Sequence, residues 1–340
     1  MSIEIGVGDR VFITGGTGFI GSKLTAELLR RGCSVKVMTR NLSGLSDNKN
    51  DNLEYVSGDV TDVDSLRRAM SGCNYVFHLA GYAKNWAKDS RIYDEINIEG
   101  TRNVFNVAAE VGAERVVWTS TIVTFGATEN GVIGDEKTVR TNDNFFTEYE
   151  RSKTIMEREA LKLAANGFPL VIVNPTRVYG PGVMSESNAV TQLISMIRNG
   201  KMPTVLNFGR NIGNYVYIDD VVFGLILALE GGRVGERYIL GGDNVKLGEV
   251  FTTVDKVDGV KRRFRWGIYY RTPLLIAYIS EWLANTFGIY PFFTSGWIKT
   301  FLADWAFSSK KAETELGYKS TPFEEGVKKT CQWLDENKIK

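Results

Sequence analysis

Histidine is almost missing from these 340 residues; His78 is the only one. A zinc site built on several imidazoles, or a Ser-His-Asp triad with a second histidine to spare, is hard to assemble from it, and no metal is expected. Cysteine is nearly as scarce. Cys33, Cys73 and Cys331 are odd in number and far apart, which suits reduced thiols in a cytoplasmic protein better than a disulfide framework. An excess of either charge is also lacking, because 41 Lys and Arg nearly cancel 40 Asp and Glu. So balanced a chain has no long-range field for nucleic acid. The one local basic run, Lys261 to Arg265, reads as a solvated turn or helix end. Long apolar runs are absent too. The most apolar late stretch, from Pro273 to Phe293, is interrupted by Glu281 and Asn285 and falls short of about 18 clean apolar residues. It predicts a buried or rim helix and no stable membrane insertion, with interfacial membrane contact as the alternative. Met1 to Gly6 shows no basic region leading into an apolar run, so no secretory signal is expected.

What is present is an alternation of short, fully apolar strands with helical patterns. Val11–Thr14, Val35–Met38, Leu53–Val56, Tyr75–Leu79, Val116–Thr119 and Leu170–Val173 read as strands. Helical spacing runs from Phe19 to Arg31, from about Ile96 to Val111 and from about Phe146 to Ala165, and Asp62 is a plausible cap for a further helix. Such alternation predicts an α/β fold with a parallel sheet covered on both faces. After Pro175 the pattern loosens and aromatics gather. The expected division is a nucleotide-binding part over 1–180 and 212–235, interleaved with a smaller substrate-binding part over 181–211 and 236–340.

Thr14-Gly15-Gly16-Thr17-Gly18-Phe19-Ile20-Gly21 joins the first strand to the first helix. Gly16, Gly18 and Gly21 satisfy G-x-G-x-x-G, and Gly15 supplies the wider register. Glycines there let the backbone approach a pyrophosphate, which the free amides of the helix start then receive. The predicted architecture is accordingly a Rossmann-type doubly wound sheet. A carboxylate for the ribose diol of NAD is missing after the second strand, where the chain reads Met38-Thr39-Arg40. Arg40 is suited to a 2′-phosphate, so NADP(H) is expected ahead of NAD(H).

Further on, Thr119-Ser120-Thr121-Ile122-Val123-Thr124 follows a strand, and Tyr149-Glu150-Arg151-Ser152-Lys153 lies on a helix. In this order, with the glycine loop, they resemble the extended short-chain dehydrogenase/reductase family over nearly the whole chain. Gly58-Asp59-Val60 resembles its adenine-contacting turn, His78-Leu79-Ala80-Gly81 its strand end beneath the cofactor, and the Asn97 segment its central-helix motif. Asn174-Pro175-Thr176-Arg177 resembles the border of nicotinamide and substrate, and Tyr215 to Val221 the return to the main domain.

The resemblance implies cofactor contacts from Gly15, Thr17, Gly18, Phe19, Ile20, Gly21, Arg40, Asp59, Val60, Leu79, Ala80, Gly81, Asn97, Thr119, Tyr149, Lys153, Asn174, Pro175 and Thr176. It implies catalysis by Thr121, Tyr149 and Lys153, with 4-pro-S hydride transfer. Lys153, one turn after Tyr149, is expected to lower the phenol pKa. Thr119, Ser120 and Thr124 are rival hydroxyls to Thr121, and His78 reads as a packed strand-end residue. The resemblance also implies a homodimer through the helices carrying Tyr149 and Asn97, which hold Val104, Phe105, Val107, Val111, Ile155, Met156 and Leu161.

Gly81 to Trp86 and Gly235 to Gly242 resemble the dihydroflavonol 4-reductase and 3β-hydroxysteroid dehydrogenase branch. Lys84, Trp86, Thr121 and Arg177 are the candidate substrate residues, and Trp266, Tyr269, Tyr270, Trp282 and Trp297 are either core or the wall of a site for an apolar ring. A nucleotide-sugar epimerase or dehydratase is the alternative, although Gly213-Asn214 stands where such enzymes carry an arginine. A non-catalytic nucleotide sensor is the second alternative, countered by the retention of both Tyr149 and Lys153.

Overall fold

The computed structural model describes residues 3–45, 50–129, 131–260, 265–291 and 293–339. Its first half winds strand and helix alternately: β1 (Arg10–Thr14), α1 (Phe19–Arg30), β2 (Ser34–Thr39), β3 (Leu53–Ser57), α2 (Val63–Met70) and β4 (Tyr75–His78). Next come a short α3 (Arg91–Asp94), a π-helical turn (Glu95–Glu99), α4 (Gly100–Glu110), β5 (Arg115–Thr119), α5 (Glu148–Ala165) and β6 (Leu170–Pro175). Asp62 does cap α2, its carboxylate accepting from the amides of Asp64 and Ser65.

The later chain forms β7 (Arg177–Tyr179), α6 (Ala189–Arg198), β8 (Thr204–Leu206), β9 (Ile212–Tyr217), α7 (Ile218–Gly231), β10 (Arg237–Leu240) and β11 (Asp243–Lys246). It closes with α8 (Leu247–Val257), β12 (Trp266–Ile268), α9 (Arg271–Phe287), α10 (Ser295–Leu302), α11 (Lys310–Leu316) and α12 (Phe323–Glu336).

The main sheet has seven strands in the order β10-β6-β5-β4-β1-β2-β3, all parallel. Both faces are covered, as uninterrupted apolar strands require. Val11 and Ile13 of β1 point into one apolar cluster with Leu24 of α1 and Leu225 of α7. Phe12 between them points into the other, with Leu66, Val104 and Met156 from α2, α4 and α5. The strand order reverses between β1 and β4, and ligands of such sheets bind where the strands end beside that crossover.

Two expected boundaries differ in the structure. Arg237–Leu240 was grouped with the substrate-binding part, yet β10 is the outermost strand of the main sheet, its Tyr238, Ile239 and Leu240 fully buried. Conversely, β9, placed with the nucleotide-binding part, joins β7 and β11 in a separate three-stranded sheet. Of the apolar residues expected at a dimer seam, Val104, Phe105, Val107 and Met156 are buried under the main sheet. Ile155, Leu161 and Val111 are half-buried against the same core.

The stretch from Pro273 was expected as a buried or rim helix. It forms a helix, but only Ala277 and Ala284 of α9 are buried. Lys261 to Phe264 lie outside the described residues; the side chain of Arg265 is buried and paired with Asp255 at 2.6 Å rather than solvated.

Candidate active site

Five segments meet at the C-terminal ends of β1, β4, β5 and β6 and at the start of α5. Gly15 opens the loop after β1 with φ of +73°, and a Cβ there would sit 2.7 Å from the Ala80 amide nitrogen. A Cβ on Gly21 would collide with the Gly15 carbonyl, so the first turn of α1 rests directly on the loop. No side chain caps α1. Thr17 and Gly18 are exposed at its start, while Phe19 is buried and Ile20 lines the cleft. The cradle fits a diphosphate on the α1 amides.

Arg40, one residue beyond β2, is exposed and has no ion-pair partner among the described residues. Asp59 lies at the neighbouring strand end and accepts from the Thr61 amide and hydroxyl at 2.9 and 2.8 Å. Val60 is buried beside it. Leu79 and Gly81 line the cleft beneath β4, with Ala80 between them, its amide tied to the Thr14 hydroxyl at 3.2 Å. Asn97, buried in the π-helical turn, does not face the cleft. It accepts from the Tyr82 amide at 2.7 Å and donates to Ser152 at 2.9 Å, clamping the Gly81 loop to α5.

His78 is fully buried between the hydroxyls of Thr14 and Thr101, at 2.6 and 3.0 Å. Desolvation, helped by the nearby Lys153 charge, pushes its pKa down to about 3, so it is a neutral packing residue.

Tyr149, Lys153 and Thr121 converge on the cleft floor with Thr119, Pro175 and Thr176. Burial pushes the Tyr149 phenol up to about 12, against a hydrogen bond with Thr121 that favours the phenolate. Lys153 Nζ donates to the Thr119 carbonyl at 2.9 Å and stands 4.5 Å from the centre of the Trp118 ring. Desolvation pulls its pKa down to about 7, opposed by the charge of Glu157. The expected lowering of the phenol pKa is therefore reversed in direction. Both groups sit in apolar surroundings, and the ammonium is aimed at a carbonyl and an indole face.

Beneath the cleft lies a polar knot that motif reading passed over. Glu157, buried two turns beyond Tyr149, accepts from the Ser120 hydroxyl, from Thr124 at 3.0 Å and from Asn174 Nδ2 at 2.7 Å. Arg237 of β10 pairs with it at 3.1 Å. Asn174 also donates to the Thr121 carbonyl at 3.0 Å. Two of the rival hydroxyls, Ser120 and Thr124, are thereby bound to Glu157, and Thr121 remains at the cleft beside Tyr149. Thr119 Oγ1, Thr176 Oγ1 and Asn174 Oδ1 are buried without a hydrogen-bond partner, three polar atoms around the floor with bonding capacity left for a polar ligand. The helical signal for Glu157 was its spacing of four from Lys153.

Among the candidate substrate residues, Lys84 and Arg177 line the cleft. Trp86 lies in a neighbouring recess, edge-on to Tyr290 with ring centres 5.6 Å apart. Arg177 donates to the Tyr215 hydroxyl at 3.3 Å and the Thr300 carbonyl at 3.2 Å, over the Phe301 ring. A side chain at Gly213 would strike that guanidinium, at 2.7 Å. Asn214 is buried and donates to Gly242, Asn244 and Phe307, all within the protein. Of the five late aromatics, Trp297 alone reaches the cleft, where Phe301 and Trp305 complete an aromatic wall that periodicity did not isolate.

The model of the NAD dependent epimerase/dehydratase family matches residues 11–241. A Synechocystis sp. protein named as a dihydroflavonol 4-reductase is 29% identical over 98% of this chain and 96% of its own length. The 4-hydroxy-2-methyl-3-oxo-4-farnesyl-3,4-dihydroquinoline-1-oxide ketoreductase of Stigmatella aurantiaca is 27% identical over 74% of each chain. The dTDP-glucose 4,6-dehydratase of Streptomyces venezuelae, solved with NAD bound, shares the fold at a TM-score of 0.76 and 23% identity, covering 97% of this chain and 98% of its own.

Proposed function

The chain belongs to the NAD-dependent epimerase/dehydratase family and is an oxidoreductase of the extended short-chain dehydrogenase type; from that premise we propose that it interconverts a ketone or aldehyde and its alcohol on a mainly apolar small molecule, with NADP(H). The observation that carries this reading is the cleft wall. Trp297, Phe301, Trp305, Val190 and Ile20 line one cleft with Thr121 and Tyr149, so a largely apolar concave surface carries two hydroxyls. The relative named as a ketoreductase on a farnesylated quinoline supports a substrate of that kind.

The residues present fit a dinucleotide: the α1 amides for the diphosphate, Asp59 and Val60 at the adenine side, and Thr119, Thr176 and Lys153 at the floor. Arg40, with no ion-pair partner among the described residues, supports the 2′-phosphate of NADP. When bound, the dinucleotide supplies or accepts the hydride. Thr121 holds the substrate oxygen by a hydrogen bond and turns it toward Tyr149. Tyr149, protonated at neutral pH, gives its phenolic proton to that oxygen as negative charge develops there, and takes it back in the oxidative direction. Lys153, as ammonium, steadies the phenolate left behind. The aromatic wall keeps water from the reacting carbon.

Arg177 favours the second reading, a nucleotide-sugar epimerase or dehydratase, because a cleft cation without a carboxylate partner among the described residues can meet a diphosphate. Its hydrogen bonds to Tyr215 and Thr300, and the internal bonds of Asn214, weigh against that. The comparison is binding of dTDP or UDP against a flat polycyclic ketone, each with NADP present. Binding of the ketone alone supports carbonyl reduction; micromolar affinity for the nucleoside diphosphate and none for the ketone overturns it.

A further inference from the structure

A surface helix ordinarily turns its apolar stripe inward. α9 does the reverse. It leans on α10, and its only buried residues, Ala277 and Ala284, are small. Outward stand Leu275, Ile276, Ile279, Trp282 and Phe287, each more than half exposed, with Trp282 and Phe287 edge-to-face at 6.2 Å. A contiguous apolar surface of this kind marks a contact with something outside the chain.

The charges around the helix say which kind. Arg271 stands over the Tyr269 ring at 5.9 Å and Lys299 over Tyr278 at 5.7 Å. Neither of these cations has a carboxylate partner among the described residues. The one acidic side chain of α9, Glu281, is turned to the body, accepting from the Ser295 amide at 2.7 Å and hydroxyl at 3.1 Å. An apolar face with tryptophan and tyrosine at its level and cations at its rim is the layout of a helix lying in a lipid interface. A second copy fits worse. A two-fold contact sets this face against itself, bringing cation to cation with no outward carboxylate on α9 to answer.

We propose that α9 docks this protein on an anionic bilayer surface, lying in the headgroup plane with Trp282 and Ile279 inserted. No helix among the described residues is long and apolar enough to cross the membrane, so the attachment is peripheral. Because α10, under α9, carries Trp297 and Phe301 of the cleft wall, docking sets the cleft beside the lipid. The docking stands on the face alone, whatever the substrate.

The test is co-sedimentation of the full chain with vesicles of phosphatidylcholine containing about 30 mol% phosphatidylglycerol, against phosphatidylcholine alone. The expected result is binding to the anionic vesicles, weakened at least about tenfold by molar salt and by Ile279→Glu with Trp282→Glu, while NADPH binding is retained. Should the double variant fail to fold, brominated lipid must quench wild-type tryptophan emission, and Trp282→Phe must remove most of that quenching. Absence of sedimentation with either vesicle overturns the proposal. So does a lipid-free dimer that the double substitution dissociates, which would make a second copy the occupant.

Discussion

Tyr149 and Lys153 bring opposite protonation problems to one cleft floor. The phenol, held up at about 12, keeps its proton through the neutral range, whereas the ammonium, pulled to about 7, begins to lose its charge there. Reductive kcat/KM should therefore fall as pH rises through about 7, a limb set by Lys153 and not by the tyrosine. A reductive profile flat to pH 10 would remove that assignment. Stability moves the other way. Between about 7 and 10.5 the unfolded lysine binds a proton that the folded one lacks, so stability rises with pH across that window. Lys153→Met should flatten this part of a melting-temperature profile. Tyr149→Phe removes the transferable proton alone; turnover should drop by about 10²–10⁴ with NADPH affinity nearly unchanged, as titration of cofactor fluorescence would show. At the other end of the cofactor site, Arg40→Ala should weaken NADPH by about 1.5–3 kcal/mol and leave NADH as it was. Equal weakening of both would release Arg40 from the 2′-phosphate.

At the scale of elements, α5 acts as a ruler. Tyr149, Lys153 and Glu157 recur every four residues, so one helix face places the phenol proposed as proton donor, the ammonium and the carboxylate that ties down Thr121's segment. Glu157→Ala should leave cofactor binding nearly unchanged and lower kcat at least about tenfold, since it unties hydrogen bonds worth about 1–3 kcal/mol each when their buried partners are left unpaired. It should also move the basic limb of the reductive profile below its wild-type position, because Glu157 raises the Lys153 pKa. An unmoved limb would leave Glu157 a purely structural residue. The first half of this element order was legible in the sequence, from uninterrupted strands such as Val11–Thr14 and the glycines between β1 and α1. What stayed illegible was carried by residues far apart in the chain. Glu157 bonds to Ser120, Asn174 and Arg237, and no local pattern announces that meeting. The four residues of β10 between glycine-containing turns look like any short strand until β6 is beside them. Whether α9 is buried, at the rim or at an interface stays open in the sequence, because helical spacing says that a stripe exists and not which way it points.

For the whole molecule, the main sheet takes its edge strand from 62 residues beyond the neighbour it covers, β6 ending at Pro175 and β10 beginning at Arg237. This has a bearing on synthesis. A ribosome that has released the chain as far as β6 has exposed a row of unpaired amides and carbonyls along Leu170–Pro175, every residue of which is buried in the finished protein. An uncovered, flat, apolar strand of this kind is a template for pairing with other chains. Completion of the edge must wait for β7, β9 and α7 to emerge, a non-local closure that slows folding. A chain cut at residue 235 should aggregate on expression although it keeps the entire glycine loop, Tyr149 and Lys153, whereas one cut after α12 should stay dispersed. Light scattering of the two at equal concentration decides the matter. The nascent enzyme is thus most vulnerable after its catalytic helix is made, during the interval in which a chaperone must hold its sixth strand.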